Sequence, residues 1–189
     1  MANGNLNSFP DDVAAFFGDR PIRAIKTFPG PISTVIPEFQ VLEVAPRRTG
    51  DAWIYISDGA RSIPGFEGEI LEFVLMAPYR DDVNAEILAM VSHFHADPRY
   101  LVHEGRVLNI GRPWLSGSHL SSLFVSLPYP FGPRFEYIQN AEDGVRILWL
   151  LPITESEARL IATRGIEEFE RRMESKAVDI LDPKRESIV

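Results

Sequence analysis

The sequence predicts an α+β fold: a single domain with a mixed, mostly antiparallel β-sheet, flanking helices and a long C-terminal helix. Short runs of β-branched and bulky residues recur along the chain, whereas a helical period is confined to stretches near residues 8–17, 81–94 and 154–173. Fifteen prolines and thirteen glycines punctuate what lies between. At 189 residues the chain can bury one sizeable core and is short for two. A composition 45% hydrophobic and 24% charged lies in the ordinary globular range and excludes disordered, collagen-like and coiled-coil classes.

Residues 1–20 read as an extension with one short helix, and 21–189 as the domain proper. The Asn-rich opening to Asn7 reads as frayed. Ser8 is then an N-cap, with Pro10, Asp11 and Asp12 in the first turn, Gly18 past the last, and Val13, Phe16 and Phe17 as the apolar stripe. Prolines 21, 29, 31, 37 and 46 preclude a long helix, which leaves strands at 22–28 and 39–45. Residues 53–57 and 70–77 alternate as half-buried strands, the second with Leu71, Phe73, Leu75 and Ala77 inward and Glu72 outward. Asp58, Gly59, Pro64, Gly65 and Gly68 make the link between them hairpin-like.

Asp81 and Asp82 open a helix whose Val83, Ile87, Met90, Val91 and Phe94 share one face. Short strands follow at 107–110, 121–127, 134–139 and 145–151, with a hairpin turn at Asp143-Gly144. Thr154 and Glu157 have capping-box spacing, and Ala158, Ile161, Ala162, Ile166, Phe169 and Met173 continue at helical period, with Gly165 a point of division. Glu155 with Arg159, Glu167 with Arg171 and Glu168 with Arg172 are spaced as i,i+4 ion pairs. Residues 178–181 read as a last strand before a turn at 182–185. Trp53, Tyr55, Leu71, Phe73, Leu75, Ile147, Trp149 and Leu151 are expected to share one buried face beneath Ile161, Phe169 and Met173.

Net charge is −8. Residues 1–152 carry 18 acidic against 12 basic side chains and residues 153–189 carry 9 against 7, so the acidity looks spread out. Such a field repels phosphate backbones, which argues against nucleic-acid binding and leaves a basic protein as a compatible partner. The absence of cysteine excludes disulfide scaffolds, thiolate metal sites and thiol nucleophiles, and points to a reducing cytoplasm. Residues 1–17 lack the pattern of a signal or transit peptide, and no apolar run approaches the roughly 20 residues needed to span a bilayer.

His93, His95 and His103 cluster with Asp97 and Glu104 nearby, which suggests a zinc or iron site and, as one reading, a metal-dependent hydrolase. If a helix runs to Phe94, however, His93 and His95 lie about 200° apart around its axis and cannot share a metal. The serines at 116, 118, 121 and 122 have no nucleophile elbow and no argued acid partner. Glu67 and Glu69 alternate as a solvated strand edge requires. No phosphate loop or dinucleotide fingerprint occurs.

Residues 53–57 form a tryptophan-bearing strand ending in Asp58-Gly59, and residues 69–78 form a Glu- and Leu-rich strand. Leu151-Pro152-Ile153-Thr154 with Glu157 and Gly165 starts a helix, and Asp182-Pro183 with Arg185 and Ser187 closes the chain. In this order and spacing, over residues 30–187, they resemble the Suppressor of Fused-like family, in the form of its stand-alone bacterial members. Ala60 and Arg61 depart from the family's Met or Leu followed by Ser. The resemblance implies an α+β domain that binds protein without catalytic residues or cofactor, in the manner of immunity proteins that neutralise polymorphic toxins. Animal members receive a peptide as an added strand. The corresponding positions here are Phe94 and the segment holding Ser116, Gly117, Ser118, Leu120 and Phe124, although that segment lacks the acidic residue of the animal motif. Strand addition is the expected binding mode, because no dense acidic patch is visible.

Overall fold

The structure is a computed structural model and describes residues 8–138 and 144–189. Its centre is a sheet whose strands, in chain order, are β1 (Ile22–Ile25), β2 (Gln40–Val44), β3 (Trp53–Asp58), β4 (Leu71–Ala77), β5 (Val107–Asn109), β6 (Leu120–Ser126), β7 (Tyr137–Ile138) and β8 (Val145–Thr154). In space the order is β1-β2-β3-β4-β8-β6-β5, with β7 also beside β8. Every pairing is antiparallel except β4 with β8. The helices are α1 (Phe9–Phe17), the single turn α2 (Ile32–Val35), α3 (Val83–His95), the single turn α4 (Pro133–Glu136), α5 (Glu155–Arg164) and α6 (Ile166–Ser175). The mixed, mostly antiparallel α+β fold is as expected. No described helix is long and apolar enough to cross a membrane.

Local chemistry sets the helix ends. The Ser8 N–H and hydroxyl both donate to Asp11 Oδ2, at 3.1 and 2.7 Å. Thr154 Oγ1 accepts the Glu157 N–H at 3.2 Å while Glu157 Oε2 accepts the Thr154 N–H at 2.8 Å, a reciprocal cap of the kind worth about 1 kcal/mol. The C-terminal helix divides at Gly165, whose φ of +88° suits a residue without a side chain. Ala162, expected on the apolar stripe of α5, is exposed. Glu155–Arg159 and Glu168–Arg172 pair as spaced, but Arg171 reaches Glu168 instead of Glu167.

The sheet is covered on both faces, which corrects the expectation of one buried face. Tyr55, Leu71, Phe73 and Leu75 pack with Leu148 against Ile87, Leu88 and Val91 of α3. Ile147, Trp149 and Leu151 pack on the opposite side with Val74, Ile161 and Phe169, and Phe9, Val13 and Phe17 of α1 join them. The parallel register explains the difference: Phe73 lies opposite Leu148 and Val74 opposite Trp149, so the residues expected to share a face are out of step by one. Glu72, expected outward, is fully buried for the same reason. On α3, Met90 is 40% exposed whereas Asn84, Ser92 and His95 are buried, so the inward stripe is rotated from the expected one.

Two expected strands differ. Residues 134–136 belong to α4, where Pro133 takes an N-terminal position in which its missing N–H costs nothing and Phe135 is buried; only Tyr137 and Ile138 are strand. Gln139, Asp143 and the opening to Asn7 lie outside the described residues. Residues 178–181 form no strand; Val178, Ile180 and Leu181 instead pack on the α5–α6 side of the sheet.

Candidate partner-binding surface

The histidines take separate roles. His95 is fully buried on α3, where its Nδ1 accepts the Val102 N–H at 3.0 Å and its ring meets Phe73 edge-on at 5.6 Å. His93 is half-buried on another side of the helix, and His103 is exposed with Nδ1 2.8 Å from the Glu104 carbonyl. Among the described residues, no group of three or more His, Cys, Asp or Glu side chains is placed to hold a metal ion.

The segment singled out for strand addition is mostly interior. Leu120 and Phe124 are buried, Leu120 on the α3 side and Phe124 on the other, and Ser118 is buried with Oγ accepting the Leu120 N–H at 3.0 Å. Ser116 and Gly117 are exposed. β6 is hydrogen-bonded to β5 on one side and to β8 on the other, and the main strand order ends at β1 and β5, with β7 beside β8 off that path. Phe94 is half-buried, stacked on Tyr100 at 4.6 Å, with the Arg106 guanidinium 5.5 Å from its ring centre.

Folding concentrates the acidity that looks diffuse in sequence. Arg146, at the start of β8, holds Glu69 at 2.9 Å, Glu104 at 2.6 Å and Glu136 at 3.1 Å, so three carboxylates meet one cation. Beside them Tyr129 is 62% exposed. Its hydroxyl is pushed above its ordinary value by partial burial and by the charges of Glu170, Glu104, Glu136 and Glu174. Glu170 is itself pushed up, by burial and by Glu174, Glu104 and Glu167. Carboxylates from the β3–β4 link, the loop before β5, α4 and α6 thus share one face. No spacing rule finds this patch, because its members are brought together only by the order of the strands.

The family profile for Suppressor of fused protein (SUFU) matches residues 37–186. The chain belongs to the Suppressor of fused family. A Suppressor of fused homologue from Neisseria gonorrhoeae FA 1090 is 32% identical and superimposes with a TM-score of 0.85 over 95% of this chain and 94% of that one. The fold is also that of the Sufu protein in the Sufu–Fu complex, with TM-score 0.68 and 12% identity over 94% of this chain and 89% of that one. Drosophila Suppressor of Fused gives 0.67 at 13% identity, over 94% of this chain and 50% of that one. Among curated proteins none matches.

The segments that carried the Suppressor of fused resemblance meet in pairs, and each pair is a clamp. At the first, Gly59 turns with a φ of +137°, and a Cβ there would sit 3.2 Å from the Phe39 Cα. The turn N–H groups of Gly59 and Arg61 donate to Glu72 Oε1 at 2.7 and 3.2 Å, and the Ser57 hydroxyl also donates to Glu72. Arg61, the family departure, bonds both Asp58 and Glu72 and lies 4.9 Å from the centre of the Phe9 ring, tying α1 to the turn. Burial pushes the Glu72 carboxyl up against the pull of these donors. At the second clamp, Arg185 grips Glu157 while the hydroxyls of Ser187 and Ser156 lie 2.7 Å apart. These Suppressor of fused motifs hold the fold.

Proposed function

We propose that this Suppressor of fused domain is a non-enzymatic binding module that acts as an immunity protein, neutralising a toxin domain in the cytoplasm by direct contact and without a cofactor. The observation that carries the reading is the acidic face around Arg146, Tyr129 and Glu170. Toxin domains that attack nucleic acid need basic surfaces to reach it, and an acidic inhibitor both complements such a surface and gains association rate from it. The extent of the match to the bacterial homologue, nearly the whole of both chains, supports a function exercised by this domain itself. The Sufu–Fu complex shows that the fold can hold a protein partner in Sufu. The contact favoured here is the acidic face rather than strand addition, because the segment expected to receive a strand is enclosed.

The test is co-expression with the toxin domain that this reading places in a neighbouring gene. A stable one-to-one complex and rescue of cell growth are expected; a toxin that neither co-purifies with the chain nor loses its effect overturns the immunity reading.

A further inference from the structure

Beside the acidic face lies a groove of about 520 Å³, bounded by β6, β8, the turn at Tyr129, and α6 with the chain that follows it. Phe124, Trp149 and Leu151 line it from the sheet, and Phe169 and Met173 from α6. Glu170 and Glu174, one helical turn apart, line it as well, and among the described residues no lysine or arginine does. Nearby cations are already engaged: Arg171 and Arg172 of α6 bind Glu168, and Lys176 just after the helix donates to the Ile188 carbonyl. The Trp149 indole N–H is buried and has no acceptor among the described residues.

An apolar hollow rimmed by unneutralised carboxylates selects among occupants. A second copy of this chain, with a net charge of −8, would bring carboxylates against carboxylates. A neutral apolar peptide would leave Glu170 and Glu174 desolvated without a partner. We propose that the groove receives an apolar side chain from a lysine- or arginine-rich segment of the partner protein, whose flanking cations pair with Glu170 and Glu174. The assignment rests on the reading of the chain as a binding module and adds the class of segment it takes. Phe124, placed in the partner segment by sequence, then serves as buried lining and not as a strand edge.

The experiment uses three short synthetic peptides: one of lysines around a central leucine, its twin with glutamates for lysines, and its twin with serine for leucine. Binding to the whole chain is followed by fluorescence anisotropy and by the indole N–H resonances of the three tryptophans, with Trp149→Phe identifying the groove signal. Saturable binding of the lysine–leucine peptide below about 1 mM is expected. It should shift the Trp149 resonance and weaken about tenfold in Glu170→Gln/Glu174→Gln and on replacing leucine by serine. Both glutamines are surface changes, and an unchanged circular dichroism spectrum confirms the fold. The proposal is overturned if no saturable binding occurs, if the glutamate twin binds equally, or if the double variant binds as the parent does. If the double variant still neutralises the toxin and binds the peptide unchanged, the groove is wrong and the immunity reading stands. If the peptide occupies the groove while the parent binds no toxin, the groove stands and the immunity reading fails.

Discussion

Arg185 and Glu157, 28 residues apart, form a two-pronged ion pair inside the protein, with Nη1–Oε1 at 2.6 Å and Nη2–Oε2 at 2.7 Å. Both side chains are at most 4% exposed. The same carboxylate caps α5 through the Thr154 N–H and receives the Ile188 N–H at 3.1 Å, so one group ties the end of β8, the start of α5 and the C-terminal segment together.

Arg185→Ala therefore strands a buried carboxylate and should cost about 3–5 kcal/mol, read as a lower urea midpoint. Arg185→Lys should recover little, since one ammonium cannot reproduce the planar fork. Burial opposes the charge on Glu157, yet the Arg185 bonds and the backbone donors outweigh it and hold the carboxyl below its ordinary value. The folded state thus binds this proton less tightly than the unfolded state. Its contribution is complete above about pH 4.3 and is lost as pH falls below that. Glu157→Gln should flatten the stability profile in that acid range; an unchanged slope contradicts the assignment.

Phe73 is fully buried on β4 against α3, with its ring edge-on to that of His95 on the same helix. Phe73→Ala should cost about 3–5 kcal/mol, a large part of the stability of a typical domain, and lower Tm by about 10 °C. A Tm within a degree or two of the parent would show that the strand phase is wrong.

Burial pushes the His95 imidazole below its ordinary value. A depressed histidine favours folding while neutral, so its contribution is full above about pH 6.5 and declines as pH falls through the folded value. Denaturant midpoints measured at pH 8 and pH 5.5 should differ more in the parent than in His95→Gln. Equal differences rule out this residue as the source.

Raising salt from about 0.05 to 0.5 M should slow toxin association more than tenfold if the acidic face steers it. Leu120→Pro, on an enclosed strand, should unfold the protein instead of selectively abolishing binding. A folded, non-binding Leu120→Pro together with salt-independent association would return the contact to strand addition.

The amino-acid sequence by itself determined what depends on neighbours along the chain. The caps at Ser8 and Thr154, the break at Gly165 and the strands at 53–57 and 70–77 follow from spacings of three or four residues, or of two, and the structure keeps them. The family was also legible, because its motifs are the local halves of two clamps. Tertiary structure decided everything that depends on register between distant strands. The parallel pairing of β4 with β8 sets Phe73 and Trp149 on opposite faces and buries Glu72, a choice that alternation within either strand leaves open. Strand order likewise brings Glu69, Glu104 and Glu136 onto Arg146, across separations that no local period spans. Arg185 follows the same logic: in sequence it is one residue of a charged turn, and only docking of the C-terminal segment against β8 and α5 brings it to Glu157.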